Sequence, residues 1–136
     1  MLVADASLIT SFAVRDQHSE LADAVCAADA LWVAPLLWRS EVLSALVQYM
    51  QRAGMSLKTA RLALHSAEEV IGGREYRVSS DQVLELAARS KCPAGDCEYV
   101  ALAQELDVPL VTADKQLLRV FPRTAVSLQK FAKEKK

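Results

Sequence analysis

The chain has 136 residues, 52% hydrophobic but only 6% aromatic, which suffices for one domain with a well-buried core and argues against a second. A formal net charge of −1 excludes coating of nucleic acid by bulk attraction, although Arg52, Lys58, Arg61, Arg74, Arg77, Arg89, Lys91, Lys115, Arg119 and Arg123 leave room for a local basic surface. Cys26, Cys92 and Cys97 are odd in number and lack CxxC spacing, no apolar run reaches the roughly 20 residues of a spanning helix, and the N-terminus lacks the basic start of a secretory signal; the expectation is a cytoplasmic protein without disulfides or a zinc site.

Met1–Ala4 is a short apolar run that predicts a strand ending at Asp5. Ser7 is the expected N-cap of a helix carrying Leu8, Ile9 and Phe12. Asp5 reads equally as a turn or capping acid and as a site residue at a strand end. A helix is predicted over Ser19–Ala28, with Leu21, Ala24, Val25 and Ala28 on one face, and a buried strand over Leu31–Ala34, closed by Pro35. From about Leu36 to Arg52, Leu37, Trp38, Val42, Leu43, Leu46, Val47, Tyr49 and Met50 cover most of a helical circumference, so this helix is expected to be buried against several neighbours. Its polar strip is Ser40, Glu41, Ser44 and Gln48. An acid in such a helix needs a partner, because burying an unpaired carboxylate is costly; Glu41 is therefore either a salt-bridge acid or part of a polar cavity.

Gly54 ends that helix and Ser56 caps the next, which runs to about Val70 with Leu57, Ala60, Leu64 and Ala67 on its apolar face, before Gly72-Gly73. Glu75–Val78 reads as a short strand, and Ser79 or Ser80 caps a helix bearing Val83, Leu84, Leu86 and Ala87. His18 and His65 are expected in ordinary structural or surface roles. Ser90–Gly95 is a loop into a helix that opens on Asp96, where unpaired N–H groups and the macrodipole favour an anion. The chain turns at Asp107-Val108-Pro109 into an apolar strand, Pro109–Thr112, just before Asp114, at the strand edge where open α/β sheets bind ligands. A short helix to Phe121, a last strand near Ala125–Ser127 and a basic tail, Lys130–Lys136, complete the chain, the tail being expected to fray.

Apolar runs alternating with helical patterns predict an α/β fold, one domain over residues 1–136, with a mainly parallel central sheet of about four or five short strands flanked by helices. Parallel strands share a carboxyl edge, so Asp5 and Asp114 fall on the same side of the sheet, with Asp96 and Glu41 on helices nearby. Four carboxylates without matching cations raise one another's pKa unless a divalent ion sits among them. All-oxygen donors suit Mg²⁺ or Mn²⁺ rather than Zn²⁺, and such ions bind phosphate oxygens and lower the pKa of a bound water. The chemistry expected is phosphodiester hydrolysis.

VADAS at 3–7, WRSEVLSAL around Glu41, CPAGDCEYVALAQEL at 92–106 and PLVTADKQLL at 109–118 resemble, in order, the motifs of PIN-domain ribonucleases, in particular VapC-like toxins of bacterial type II toxin–antitoxin systems. The resemblance implies an acidic metal site at Asp5, Glu41, Asp96 and Asp114, with Thr112 and Ser7 as supporting hydroxyls. It also implies Mg²⁺-dependent endoribonuclease activity on RNA, a homodimer and a cognate antitoxin. Trp38, Leu46, Met50 and Leu57 are candidates for an apolar surface covered by a second subunit or an antitoxin helix. Two other readings stand beside this one: a PIN-fold interaction module without nuclease turnover, and a receiver-like phosphoacceptor domain. The second lacks its usual marks, because Asp5 has no acidic neighbour and Lys115 follows Asp114 directly.

Overall fold

A computed structural model describes residues 1–134. Five strands, β1 (Leu2–Ala4), β2 (Trp32–Pro35), β3 (Glu75–Tyr76), β4 (Leu110–Val111) and β5 (Ala125–Val126), form one all-parallel sheet in the order β3-β2-β1-β4-β5. Among the described residues, eight helices flank it: α1 (Ala6–Ala13), α2 (Ser19–Ala28), α3 (Trp38–Ala53), α4 (Leu57–Ile71), α5 (Ser80–Ser90), α6 (Ala94–Leu106), α7 (Lys115–Val120) and α8 (Leu128–Glu134). The predicted α/β class and parallel sheet are therefore what the chain forms.

The two-residue period of the strands divides the core. Leu2, Ala4, Trp32, Ala34 and Val111 pack into a cluster with residues of α1 to α4 and α8, whereas Val3, Val33, Leu110 and Ala125 pack with α5, α6 and α7. Both sheet faces are covered, so β1, β2, β4 and β5 are apolar throughout rather than alternating with polar residues, while β3 at the sheet edge is Glu75-Tyr76 and stays partly exposed. From β1 the chain moves outward through β2 and β3, then returns to the other side of β1 for β4. The junction of β1 and β4 is thus the point where the winding direction reverses, and in such sheets a crevice opens there.

Local signals account for most boundaries. Gly54 and Gly72 end α3 and α4 in the left-handed conformation, at φ 71° and 57°, which glycine adopts without steric penalty. Ser56 and Ser79 cap α4 and α5 by accepting from Thr59 N and Gln82 N. The three cysteines are free, and among the described residues no helix is long and apolar enough to cross a membrane.

Four expectations are corrected. Asp5, not Ser7, is the N-cap of α1, because it accepts from Leu8 N while Ser7 already lies inside the helix. The α3 helix is not covered all round: Trp38, Val42 and Leu46 are buried, but Leu43 and Val47 are exposed. Trp38 and Leu46 thus belong to the core and offer no partner surface, whereas Leu57 is exposed as expected. The region from Lys130 onward does not fray over its described part, since Leu128, Phe131 and Ala132 bury one face of α8 and that helix packs on α2; residues 135–136 of the expected tail lie outside the described residues.

Candidate functional site

The register of β1 on β4 pairs Val3 with Leu110 and Ala4 with Val111, so the next residues, Asp5 and Thr112, emerge side by side at the carboxyl edge. The Thr112 hydroxyl donates to Asp5 Oδ2. Asp5 Oδ1 accepts from Leu8 N at 2.9 Å and from Ser7 Oγ at 2.8 Å. Asp5 is 7% exposed, and that burial raises its pKa; the bonds from Thr112, Leu8 and Ser7 pull the other way, and the charge of Asp114 adds to the rise. The two expected supporting hydroxyls therefore both reach Asp5.

Asp114 caps α7, its Oδ1 accepting from Gln116 N at 2.8 Å and Leu117 N at 3.1 Å, while its own N–H donates to Thr112 Oγ1 at 3.0 Å. Thr112 thus ties the two strand-end acids together. Asp96 sits in the first turn of α6, and its pKa is raised by burial, then by the charges of Asp114 and Asp5. The helix N-terminus favours an ionised Asp96, and the neighbouring carboxylates oppose it. Glu41 comes from α3 and takes part in no ion pair among the described residues; its Oε1 accepts from the Tyr99 hydroxyl at 2.6 Å. Of the two readings open for Glu41, the polar cavity is the one observed.

These residues line one cleft of about 310 Å³, made by Asp5, Ala6, Ser7, Glu41, Asp96, Tyr99, Ala113, Asp114 and Leu117. All four predicted acids are present, and among the described residues no lysine, arginine or histidine lines the cleft. A second hollow of about 370 Å³ shares Ala6, Ser7 and Glu41 with it and runs on past Thr10, Ser11, Asp16 and Tyr49. Lys115 borders another hollow, which shares Ala113 with the acidic cleft, while Arg74 is used internally, donating to Trp32 O and Val70 O. His18 and His65 are exposed, as expected.

Among the described residues, no three His, Cys, Asp or Glu side chains gather as a ready-made coordination shell. Three of the four acids are instead held by protein donors: Asp5 by Thr112, Ser7 and Leu8, Glu41 by Tyr99, and Asp114 by the start of α7. Tyr99 is the residue of this cleft that the sequence reading missed. The available signal was its position three residues after Asp96 in a helix, a spacing that puts both on one face.

No protein-family model and no curated protein matches the chain. The crystal structure of PAE2754 from Pyrobaculum aerophilum is similar to it, with a TM-score of 0.75 at 20% sequence identity, covering 98% of this chain and 95% of that one. At that identity the likeness establishes the fold alone.

Proposed function

We propose that the chain is a metal-dependent endoribonuclease that hydrolyses RNA phosphodiester bonds, using Mg²⁺ or Mn²⁺, and that it is the toxin of a toxin–antitoxin pair. The observation that carries this reading is the convergence of Asp5, Glu41, Asp96 and Asp114 on one cleft at the β1–β4 junction with no basic side chain in its lining among the described residues. Carboxylates from four separate elements, two of them raised in pKa by burial and then by neighbouring carboxylates, form an environment that a hard divalent cation relieves. Mg²⁺ keeps several of its waters when bound to proteins, which suits acids that share a cleft without closing on one point. When bound, the ion would polarise the scissile phosphate and lower the pKa of an attacking water.

The chain's own contribution is to hold the acids. Asp5 and Asp114 are fixed through Thr112 at the strand ends, Asp96 by its helix and Glu41 by Tyr99. The adjoining hollow past Thr10 and Tyr49 offers a path for the strand on one side of the scissile phosphate, and Lys115 offers a cation for the RNA backbone. Exposed Leu43 and Val47 on α3, with Leu57 and Leu62 on α4, are surfaces for a second copy of the chain or the cognate antitoxin.

A second reading, a PIN-fold interaction module whose acids bind a partner without turnover, draws on the absence of a preformed coordination shell among the described residues. The receiver-like reading is set aside, because receiver domains order their strands 2-1-3-4-5 and this sheet runs 3-2-1-4-5. Incubating highly purified protein with a panel of structured RNAs in Mg²⁺, in Mn²⁺ and in EDTA, beside an Asp96→Asn control, separates the remaining two. Cleavage that needs the cation and is lost in the variant supports the nuclease. Intact RNA throughout, with stable RNA or protein complexes formed, supports the module.

A further inference from the structure

Glu41 and Asp96 approach the cleft from opposite sides of the sheet. The helix carrying Glu41, α3, packs on α1 and α4, whereas α6 packs on α5, β1, β2 and β4. Each helix is seated mainly on its own side, and the start of α6 comes near Glu41 and Leu37 at Gly95. A glutamate reaches its site through several rotatable bonds, so unless something holds it, Glu41 is the least constrained of the four.

Tyr99 supplies the hold. It lies one turn after Asp96 on α6, is 2% exposed, and reaches across the cleft to donate to Glu41 Oε1 at 2.6 Å. A hydroxyl donating to a carboxylate is among the stronger side-chain hydrogen bonds, and a buried tyrosine hydroxyl left without a partner carries a desolvation penalty. Burial and satisfaction alone fit an ordinary core tyrosine. What distinguishes Tyr99 is its partner, a cleft carboxylate on the opposing helix rather than a backbone carbonyl. The other oxygen of Glu41, Oε2, lies 3.5 Å from the point where a Cβ on residue 95 would stand, so a glycine at that position puts no side chain of its own in contact with that oxygen.

We propose that Tyr99 is the positioning residue of this site: by holding Oε1 of Glu41 it fixes the carboxylate in the cleft, where Glu41 and Asp96 would help to hold a cation. This inference rests on the metal-site reading above and adds a residue to it. Groups that orient a ligating side chain typically cost 10–100-fold in metal affinity or activity when removed.

The test uses the full chain as Tyr99→Phe, Glu41→Gln and the double variant. Two quantities are measured for each: the Mg²⁺ concentration that gives half of the maximal rise in melting temperature, and kcat and KM for cleavage of an RNA the wild type cuts. Phe keeps the ring and its packing. The expected result is that Tyr99→Phe needs about 10-fold more Mg²⁺ and loses about 10-fold or more in kcat with KM unchanged, and that neither effect remains when Glu41→Gln is already present. A Tyr99→Phe variant with wild-type Mg²⁺ dependence, and the same loss of melting temperature in both backgrounds, overturns the proposal and leaves Tyr99 a core residue. If the wild type cleaves no RNA, the nuclease reading fails while the Mg²⁺ series still decides the role of Tyr99. If Mg²⁺ fails to protect even the wild type, both fall.

Discussion

Thr112, the residue after β4, donates its hydroxyl to Asp5, the residue after β1, across 107 positions of sequence. The same oxygen accepts from the Asp114 N–H at 3.0 Å, so one fully buried hydroxyl serves both strand-end acids. Thr112→Val keeps the shape and deletes both bonds, leaving a buried carboxylate short of a donor. The expected loss is roughly 2 kcal/mol, a melting temperature lower by about 5–10 °C for a chain of this size. Thr112→Ser should restore most of it. Thermal denaturation of the three proteins without metal checks this, and a Val variant as stable as wild type would show that the Thr112 bond contributes nothing net.

Asp96 gives stability a pH dependence of definite sign. Burial, then Asp114 and Asp5, lift its pKa above the ordinary value of 3.8, so over a window above 3.8 the folded protein holds a proton that the unfolded chain has released. Its favourable contribution is complete below that value and is lost as pH rises through the folded-state pKa. At neutral pH, burial and the neighbouring charges therefore make ionised Asp96 work against folding, in opposition to the roughly 0.3–1 kcal/mol that the start of α6 offers an anion. In EDTA at pH 7, Asp96→Asn should melt higher than wild type, with the gain vanishing as pH falls toward 3.8. Under the metal-site proposal, added Mg²⁺ narrows or reverses the order. Calorimetric scans across pH with and without Mg²⁺ read both effects; equal Mg²⁺ protection of the two proteins would remove Asp96 from the metal site.

The C-terminal helix is part of the core. Phe131 is 4% exposed, and α8 packs on α2. Phe131→Ala should cost about 3–5 kcal/mol, measured by chemical denaturation. A frayed end would show no change at all.

Leu43 and Val47 stand one turn apart on the exposed side of α3, and Leu62 on α4 is 60% exposed. Replacing Leu43 and Val47 together by Glu should leave monomer stability within about 1 kcal/mol, as surface changes do, while lowering any self-association seen by light scattering across a concentration series. A wild type that stays monomeric at high micromolar concentration would rule out a second copy as the cover and leave the antitoxin as the proposed occupant.

The elements of this fold were legible because their signals are local. Ser19–Ala28 is a helix with the limits its periodicity predicts, Gly54, Ser56 and Gly72 punctuate α3 and α4 as read, and the apolar runs at Leu2, Trp32 and Leu110 are strands of one parallel sheet. That parallel strands share an edge was enough to put Asp5 and Asp114 on the same side. Where a signal was ambiguous, packing decided it. Asp5 capped α1 because the strand ends directly before it; only one side of α3 found neighbours, leaving Leu43 and Val47 outside; and Phe131 found α2, so a basic stretch became a docked helix. The pairings that build the cleft lie further from local reach. Thr112 meets Asp5 only because β4 lies beside β1 in a particular register, and Tyr99 meets Glu41, 58 positions away, only because the sheet brings helices from its two faces to one edge. Residue spacing determines the face a side chain occupies on its own helix or strand. Strand order and register, set by the collective burial of both sheet faces, decide which side chain stands opposite.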